Sequence, residues 1–157
     1  MPEHSTIERA RRDAREGKSA STQAGEFVRE QIHHIRSGEH GARSAKQAIA
    51  IGLSEARRAG VKLPAPSSGS SGIRKRATRD LEKGRTRAKP SSKRQQATLR
   101  ALRREGSVAA SKGSLSAQAR SAARRRGPKA RSSAAAKAAR TRRVGRTQAS
   151  HAAAPST

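Results

Sequence analysis

"SAKQAIAIGLSEARRAGVK", residues 44–62, is the one stretch of the chain in which apolar residues dominate over charge. Ser44 with Gln47 three residues later matches a capping box, and Gly60 matches a helix stop. One arc of about 140° on such a helix collects Ala45, Ala48, Ile49, Gly52, Leu53, Ala56 and Ala59. The segment therefore predicts an amphipathic helix. Ile51 falls outside the arc, so we expect it to make a second contact or to be exposed.

The residues before this segment predict a partner helix. Residues 22–36, "TQAGEFVREQIHHIR", place Ala24, Phe27, Val28, Ile32 and Ile35 on one face. The connection "SGEHGAR" then joins two antiparallel helices in an αα-hairpin. We expect close approach at Gly52 and a core in which Phe27, Val28, Ile32 and Ile35 pack against Ile49, Leu53 and Ala56. This core is small, so we also expect dimerisation through the edge that carries Ile51.

A further short helix is predicted near the start of the chain. Ser5 with Glu8 resembles a second capping box, and Gly17 ends the segment. The fold class predicted for residues 1–64 is thus all-α, a hairpin head of about three short helices.

Charge divides the chain into two regions. The 157 residues include 37 Lys and Arg against 11 Asp and Glu, a formal charge of +26. Residues 1–66 hold 12 basic and 8 acidic residues, whereas residues 67–157 hold 25 and 3. Pro, Ser and Gly at "LPAPSSGSSG" lie between them and indicate a linker. We predict a head at 1–64, a linker at 65–72 and a polycationic tail at 73–157.

The tail has too few large apolar residues to build a core. Residues 91–106, 114–127 and 132–145 have high helix propensity, with Ser92 as a cap of the first and Gly at the end of the other two. None has an apolar face that could pack, so we expect nascent helices in a largely disordered chain.

The head resembles a family of small, basic, mostly bacterial proteins of uncharacterised function. The matching residues lie in 17–64 and are Glu26, Phe27, Gly38, Lys46 to Ile51, Leu53, Ser54, Glu55 and Ala56. The resemblance implies a cytoplasmic bacterial protein and no known reaction. The tail looks like the Lys/Arg/Ala-rich extensions of linker-histone-like bacterial proteins.

Catalytic and metal chemistry find little support. The chain has no Cys, and its acids are spread over helix exteriors beside Arg. "GKS" at 17–19 lacks the first Gly of a phosphate loop, since Arg12 occupies that position. His33 and His34 diverge by about 100° on a helix, so at most one could join His40. We expect no enzyme, no cofactor and no metal site. No apolar run approaches the roughly 18 residues of a membrane span, and we expect no membrane partner.

Nucleic acid is the partner that the charge favours, and duplex DNA more than RNA. Arg suits bidentate phosphate contacts and narrow minor grooves, and the lack of Trp and Tyr argues against base stacking. "RGPK" at 126–129 is loosely like a minor-groove hook. We expect nonspecific, histone-like binding in the bacterial nucleoid. A protein-interaction module with a cationic tether and an RNA- or ribosome-associated protein remain alternatives. The predicted phosphate contacts are Arg57, Arg58, Lys62, Arg74, Lys75, Arg76, Arg85, Arg87, Lys93, Arg94, Arg103, Arg104, Arg124, Arg125, Arg126, Lys129, Arg131, Arg140, Arg142 and Arg143.

Overall fold

A computed structural model describes residues 2–67, 69–86 and 91–152, with the side chains of 141 and 144–152 excepted. Within these ranges the chain forms six α-helices, one 3₁₀ turn and no strand, which confirms the all-α prediction. The elements are α1 (His4–Arg15), α2 (Ala20–Arg36), α3 (Ala45–Arg58), α4 (Ser71–Thr86), α5 (Ser92–Leu102), the 3₁₀ turn (Val108–Ala110) and α6 (Lys112–Ala152). Two compact units contain them, a first unit of Met1–Leu115 and a second unit of Ser116–Thr157.

The hairpin of α2 and α3 begins and ends at local signals. The Ser44 side chain accepts a hydrogen bond from the Gln47 amide at 3.3 Å, and Ser19 does the same for Thr22 at 3.3 Å. Gly60 follows α3 with φ of +97°, a conformation that a residue with a Cβ rarely adopts. The predicted helix and its cap are therefore confirmed.

Gly52 lets the two hairpin helices approach closely. A Cβ built at this position would lie 2.7 Å from the Cα of Val28 and 3.0 Å from the carbonyl carbon of Phe27. These contacts are backbone atoms, so no side-chain rotation could relieve the overlap. The close approach predicted at Gly52 is present.

The core consists of two small clusters. The first holds Phe27, Ala56, Ala10, Ala24 and Val61, with Ile7 and Leu53 packed against it. The second holds Ile35, Ala42, Ala48, Ala109 and Ala110, with Ile32 beside it. Of the predicted core, Phe27, Ile35 and Ala56 are buried, whereas Val28, Ile32, Ile49 and Leu53 are partly buried. Ile51 is also partly buried.

The start of α1 differs from the prediction by two residues. Glu3 is the N-cap, and Ser5 lies in the first turn, where its hydroxyl donates to the Glu3 carboxylate at 3.2 Å. The prediction of a capping box at Ser5 was therefore wrong. The N-terminal end of α1 is instead held by α2, because the Glu3 amide donates to Glu30 Oε1 at 2.6 Å.

The first unit extends beyond the predicted end of the head at residue 64. α4 begins inside the predicted linker and packs against α3. The turn after α5 meets the α2–α3 loop, where the Gly41 amide donates to the Leu102 carbonyl at 2.9 Å and the Ala42 amide to that of Gly106 at 3.1 Å. Arg36 Nε donates to the Ala110 carbonyl at 2.9 Å. Residues 102–110 thereby contact the loop of the hairpin.

The predicted helical segments of the tail lie in α5 and α6. The cap of α5 is Ser91 rather than Ser92. The helix over 112–126 is interrupted at Gly127, whose φ of 76° and ψ of 168° are not helical, and Pro128 follows it. Gly127 thus ends a helical run as predicted, whereas Gly145 lies within α6.

Candidate nucleic-acid interface

One side of α4 is fixed against α3 by a carboxylate and a glycine. Asp80 is buried and accepts hydrogen bonds from Arg58 Nε at 2.7 Å and from the Ser54 hydroxyl at 2.6 Å. A Cβ at Gly84 would overlap the Arg57 carbonyl. Ala77, one turn before Asp80, is also buried. This stripe of small and acidic residues determines which side of α4 faces the solvent.

The rest of the α4 surface is cationic. We call its exposed basic residues the α4 cations, and they are Arg74, Lys75, Arg76, Arg79 and Arg85. Along this surface runs a shallow open groove lined by Ser71, Arg74, Lys75, Thr78, Arg79 and Glu82. The Arg74 guanidinium donates one N–H to the Gly69 carbonyl at 2.7 Å, and its other N–H groups remain available as donors. Glu82 is the acid on this side, so the positive charge is only partly offset.

Arg57, one of the predicted phosphate contacts, is buried within the fold. The residue is only 7% exposed, and its guanidinium donates to the carbonyls of Leu53, Leu63 and Pro64 at 3.1 to 3.3 Å. Burial lowers the pKa of Arg57, since desolvation disfavours the charged form. Arg57 joins the end of α3 to the segment that leaves it. Its periodicity suggested an outward position, but the chain folds back over it.

The other two cations predicted near the end of α3 differ from each other. Arg58 is half-exposed, but its Nε is bound to Asp80. Lys62 is exposed. Lys62 can therefore contact a polyanion directly, whereas Arg58 would have to share its charge with a carboxylate.

The remaining predicted contacts of the first unit lie around α5. Those that the structure describes are all exposed, and they are Lys93, Arg94, Arg103 and Arg104. Arg87 lies outside the described residues. Arg79 was missed by the sequence prediction, although its spacing of four from Lys75 could have placed it on the same face of α4.

The second unit presents cations without any acid. No Asp or Glu follows Glu105 in the chain. The predicted contacts of this unit are exposed, and they are Arg124, Arg125, Arg126, Lys129, Arg131, Arg140, Arg142 and Arg143. The side-chain bonds described here are local, such as Arg125 to the Ser121 hydroxyl at 2.7 Å. The break at Gly127 falls within the predicted hook, between Arg126 and Pro128.

Histidines and carboxylates of the first unit form a polar cluster at one end of α2. His34 Nε2 lies 3.2 Å from Glu3 Oε1, and this hydrogen bond lowers the pKa of Glu3. His33, the next residue, is exposed. His40 is buried, with its ring nitrogens 3.0 Å from the Gly41 carbonyl and 3.1 Å from Gln31 Oε1.

The cluster continues to Glu55, a partly buried acid on α3. Gln31 donates to Glu55 Oε2 at 2.8 Å, and burial raises the pKa of Glu55 to about 7. The carboxyl of Glu55 is therefore partly neutral at physiological pH.

Comparison with known proteins finds one family model that matches the hairpin. A model described as a family of unknown function (DUF6496) matches residues 15–66. The resemblance of residues 17–64 to an uncharacterised family is thereby confirmed. No curated protein and no solved structure matches the chain. Among the helices in the described ranges, none combines the length and the apolar character that crossing a membrane requires.

Proposed function

We propose that this chain is a nonspecific, histone-like DNA-binding protein of the bacterial nucleoid, located in the cytoplasm. The observation that carries the proposal is the row of exposed arginines and lysines after residue 115, in a region without a single acid. Such a region cannot neutralise itself, so a polyanion is its natural partner.

Binding would rest on phosphate neutralisation. Each cation that contacts a phosphate releases a condensed counterion, which drives association and makes it depend steeply on salt. The α4 cations would add contacts from a helix whose orientation is fixed by Asp80. Neither surface carries an aromatic side chain on which bases could stack, so shape and charge of a duplex are favoured over single strands.

The part of the tail after residue 115 would gain order on DNA. Its helices have no apolar face, and repulsion among their arginines opposes the helical state until phosphates neutralise the charge. The break at Gly127 lies between Arg126 and Lys129, within the stretch that is loosely like a minor-groove hook. The head would serve folding, and self-association through the edge at Ile51.

A fluorescence anisotropy titration of labelled duplex DNA at several salt concentrations tests the proposal. We expect a log–log slope on the order of −5 to −10. The triple variant Arg124→Gln, Arg125→Gln, Arg126→Gln should reduce the magnitude of the slope by about 2 to 3, since each lost phosphate contact removes about 0.9. The matched control is Arg11→Gln, Arg12→Gln, Arg15→Gln on α1, which removes the same charge beside Asp13 and Glu16.

Two results would overturn the proposal. A flat salt response would show that phosphate neutralisation is not the source of affinity. An equal loss in the α1 control would show that net charge, and not the tail, determines binding. Competition between the duplex DNA and a structured RNA of equal length tests which nucleic acid the chain prefers. Preference for the RNA would contradict DNA as the partner.

A further inference from the structure

Three carboxylates surround one imidazole nitrogen in the first unit. His34 Nε2 lies 3.2 Å from Glu3 Oε1, 4.0 Å from Glu30 Oε1 and 3.8 Å from Glu39 Oε2. Glu30 and His34 are one turn apart on α2, Glu3 caps α1, and Glu39 follows α2. One donor atom each from Glu3, Glu30 and His34 lie within 4.8 Å of one another.

Glu30 supplies an independent sign that a cation belongs here. Its side chain is only 2% exposed, and its Oε1 accepts the Glu3 amide at 2.6 Å. Its Oε2 is buried and has no hydrogen-bond partner among the described residues. A buried carboxylate oxygen without a donor is unfavourable, so such an atom calls for a ligand that the protein itself does not provide.

We propose that His34, Glu3 and Glu30 bind a divalent transition-metal ion, with Zn²⁺ as the best fit. Zn²⁺ binds imidazole nitrogen and carboxylate oxygen at about 2.0 to 2.2 Å, so tetrahedral donors lie about 3.4 Å apart. From His34 Nε2 the separations are 3.2 Å to Glu3 Oε1 and 4.0 Å to Glu30 Oε1, and one donor atom of each residue lies within 4.8 Å of the others, so the three side chains would shift toward the separation of about 3.4 Å when an ion binds. Mg²⁺ and Ca²⁺ prefer sites made of oxygen alone, so the imidazole favours Zn²⁺.

The neighbouring histidines are not part of the site. His40 directs its two ring nitrogens to Gln31 and to the Gly41 carbonyl. His33 is exposed on α2 and points about 100° away from His34. Sequence reasoning predicted no metal site because it compared only the histidines with each other. The Glu30–His34 spacing of four was the available signal, and Glu3 could be found only in the folded chain.

The ion would join two helices. Glu3 lies at the beginning of α1, while Glu30 and His34 lie on the second half of α2. α1 contributes only Ile7 and Ala10 to the apolar cluster around Phe27, so a bond through a metal would add to a weak attachment. A metal ion that binds only the folded chain, and not the unfolded chain, stabilises the folded state by mass action.

Isothermal titration calorimetry with zinc chloride tests the site on the full chain, after nuclease treatment and removal of metals with a chelator. We expect one Zn²⁺ per chain. His34→Ala should weaken binding by at least the tenfold that the loss of an outer-shell partner typically produces. His33→Ala is the matched control and should bind as the wild type does. Because His34→Ala removes a partly buried ring, Glu3→Gln at the exposed start of α1 serves as a second variant with the same expected loss.

Thermal unfolding followed by circular dichroism gives a second readout. Zn²⁺ should raise the Tm of the wild type and of His33→Ala, and Mg²⁺ at the same concentration should not. The proposal is overturned if the wild type binds no Zn²⁺, which would leave His34 as an ion-pair partner of the carboxylates. It is equally overturned if His34→Ala and Glu3→Gln bind Zn²⁺ as tightly as the wild type.

Discussion

α4 and the helical run of α6 are both rich in cations and poor in large apolar residues, and α4 packs against α3, whereas α6 from Ser116 onward lies in a unit that holds no other described helix. α4 carries Ala77, Asp80 and Gly84 on one side, and these face α3. From Ser116 onward α6 has neither an acid nor such a stripe, and its arginines up to Arg143 are exposed. In α4, one carboxylate and one glycine at helical spacing thus lie on the side that packs against α3.

Among the substitutions that test how α4 is attached to α3, we expect Gly84→Ala to have the largest effect on stability. Ala normally stabilises a helix by about 1 kcal/mol relative to Gly, but here its Cβ would overlap the Arg57 carbonyl. We expect the free energy of unfolding of the first unit to fall by about 1 to 3 kcal/mol, as in overpacked sites. Urea denaturation followed by circular dichroism measures it.

Gly72→Ala is the control, because it lies on the same helix and its Cβ would meet only the Ser70 hydroxyl at 3.9 Å. This variant should be neutral or slightly more stable. Equal behaviour of the two variants would show that α4 does not depend on close contact with α3.

A smaller effect is expected from Asp80→Asn. The amide nitrogen cannot accept a hydrogen bond, so either Arg58 or Ser54 loses its acceptor. We expect a loss of about 1 to 2 kcal/mol. Hydrogen exchange of residues 71–86 should rise toward that of α6. Glu82→Gln, on the exposed side of α4, should leave exchange unchanged, and a similar rise in both variants would contradict the role of Asp80.

The smallest effect concerns pH. The pKa of Glu55 is raised from 4.5 to about 7, so between these values Glu55 binds a proton more readily in the folded chain than in the unfolded chain. The contribution of Glu55 to the free energy of unfolding therefore falls as pH rises from 4.5 to 7. Glu55→Gln should remove this fall, a difference of about 1 kcal/mol at pH 8 after allowance for partial solvent exposure.

Denaturation in the presence of a chelator, at pH 4.5 and pH 8, measures the effect of Glu55. The helicity of residues 116–152 should not change over this range, because that segment contains no acid. An unaltered pH slope in Glu55→Gln would assign the dependence to other carboxyls.

The hairpin could be predicted from the sequence because its signals are local. The Ser44 cap, the Gly60 stop and the spacing of Phe27 and Ile35 all depend on residues within one or two turns. Gly52 was also predictable, since a glycine on an apolar helix face has few purposes other than close approach.

The site could be predicted only in part. Exposed arginines of the tail follow from composition alone. Arg57 is buried because the chain folds back over it through Leu63 and Pro64, and the periodicity of α3 does not predict this contact. The same holds for α4, whose anchoring pair joins residues 22 apart in the sequence.

By itself, the sequence determined the helices of the hairpin and the segregation of charge, because helix propensity, capping and composition act over a few residues. Only the tertiary structure decided which charges are available to a partner. Arg57 is buried, and Arg58 is paired with Asp80. Glu3 and His34 are 31 residues apart in the sequence, yet Glu3 Oε1 and His34 Nε2 lie 3.2 Å apart. Contacts of this kind depend on how helices pack in space, and packing is a property of the whole unit.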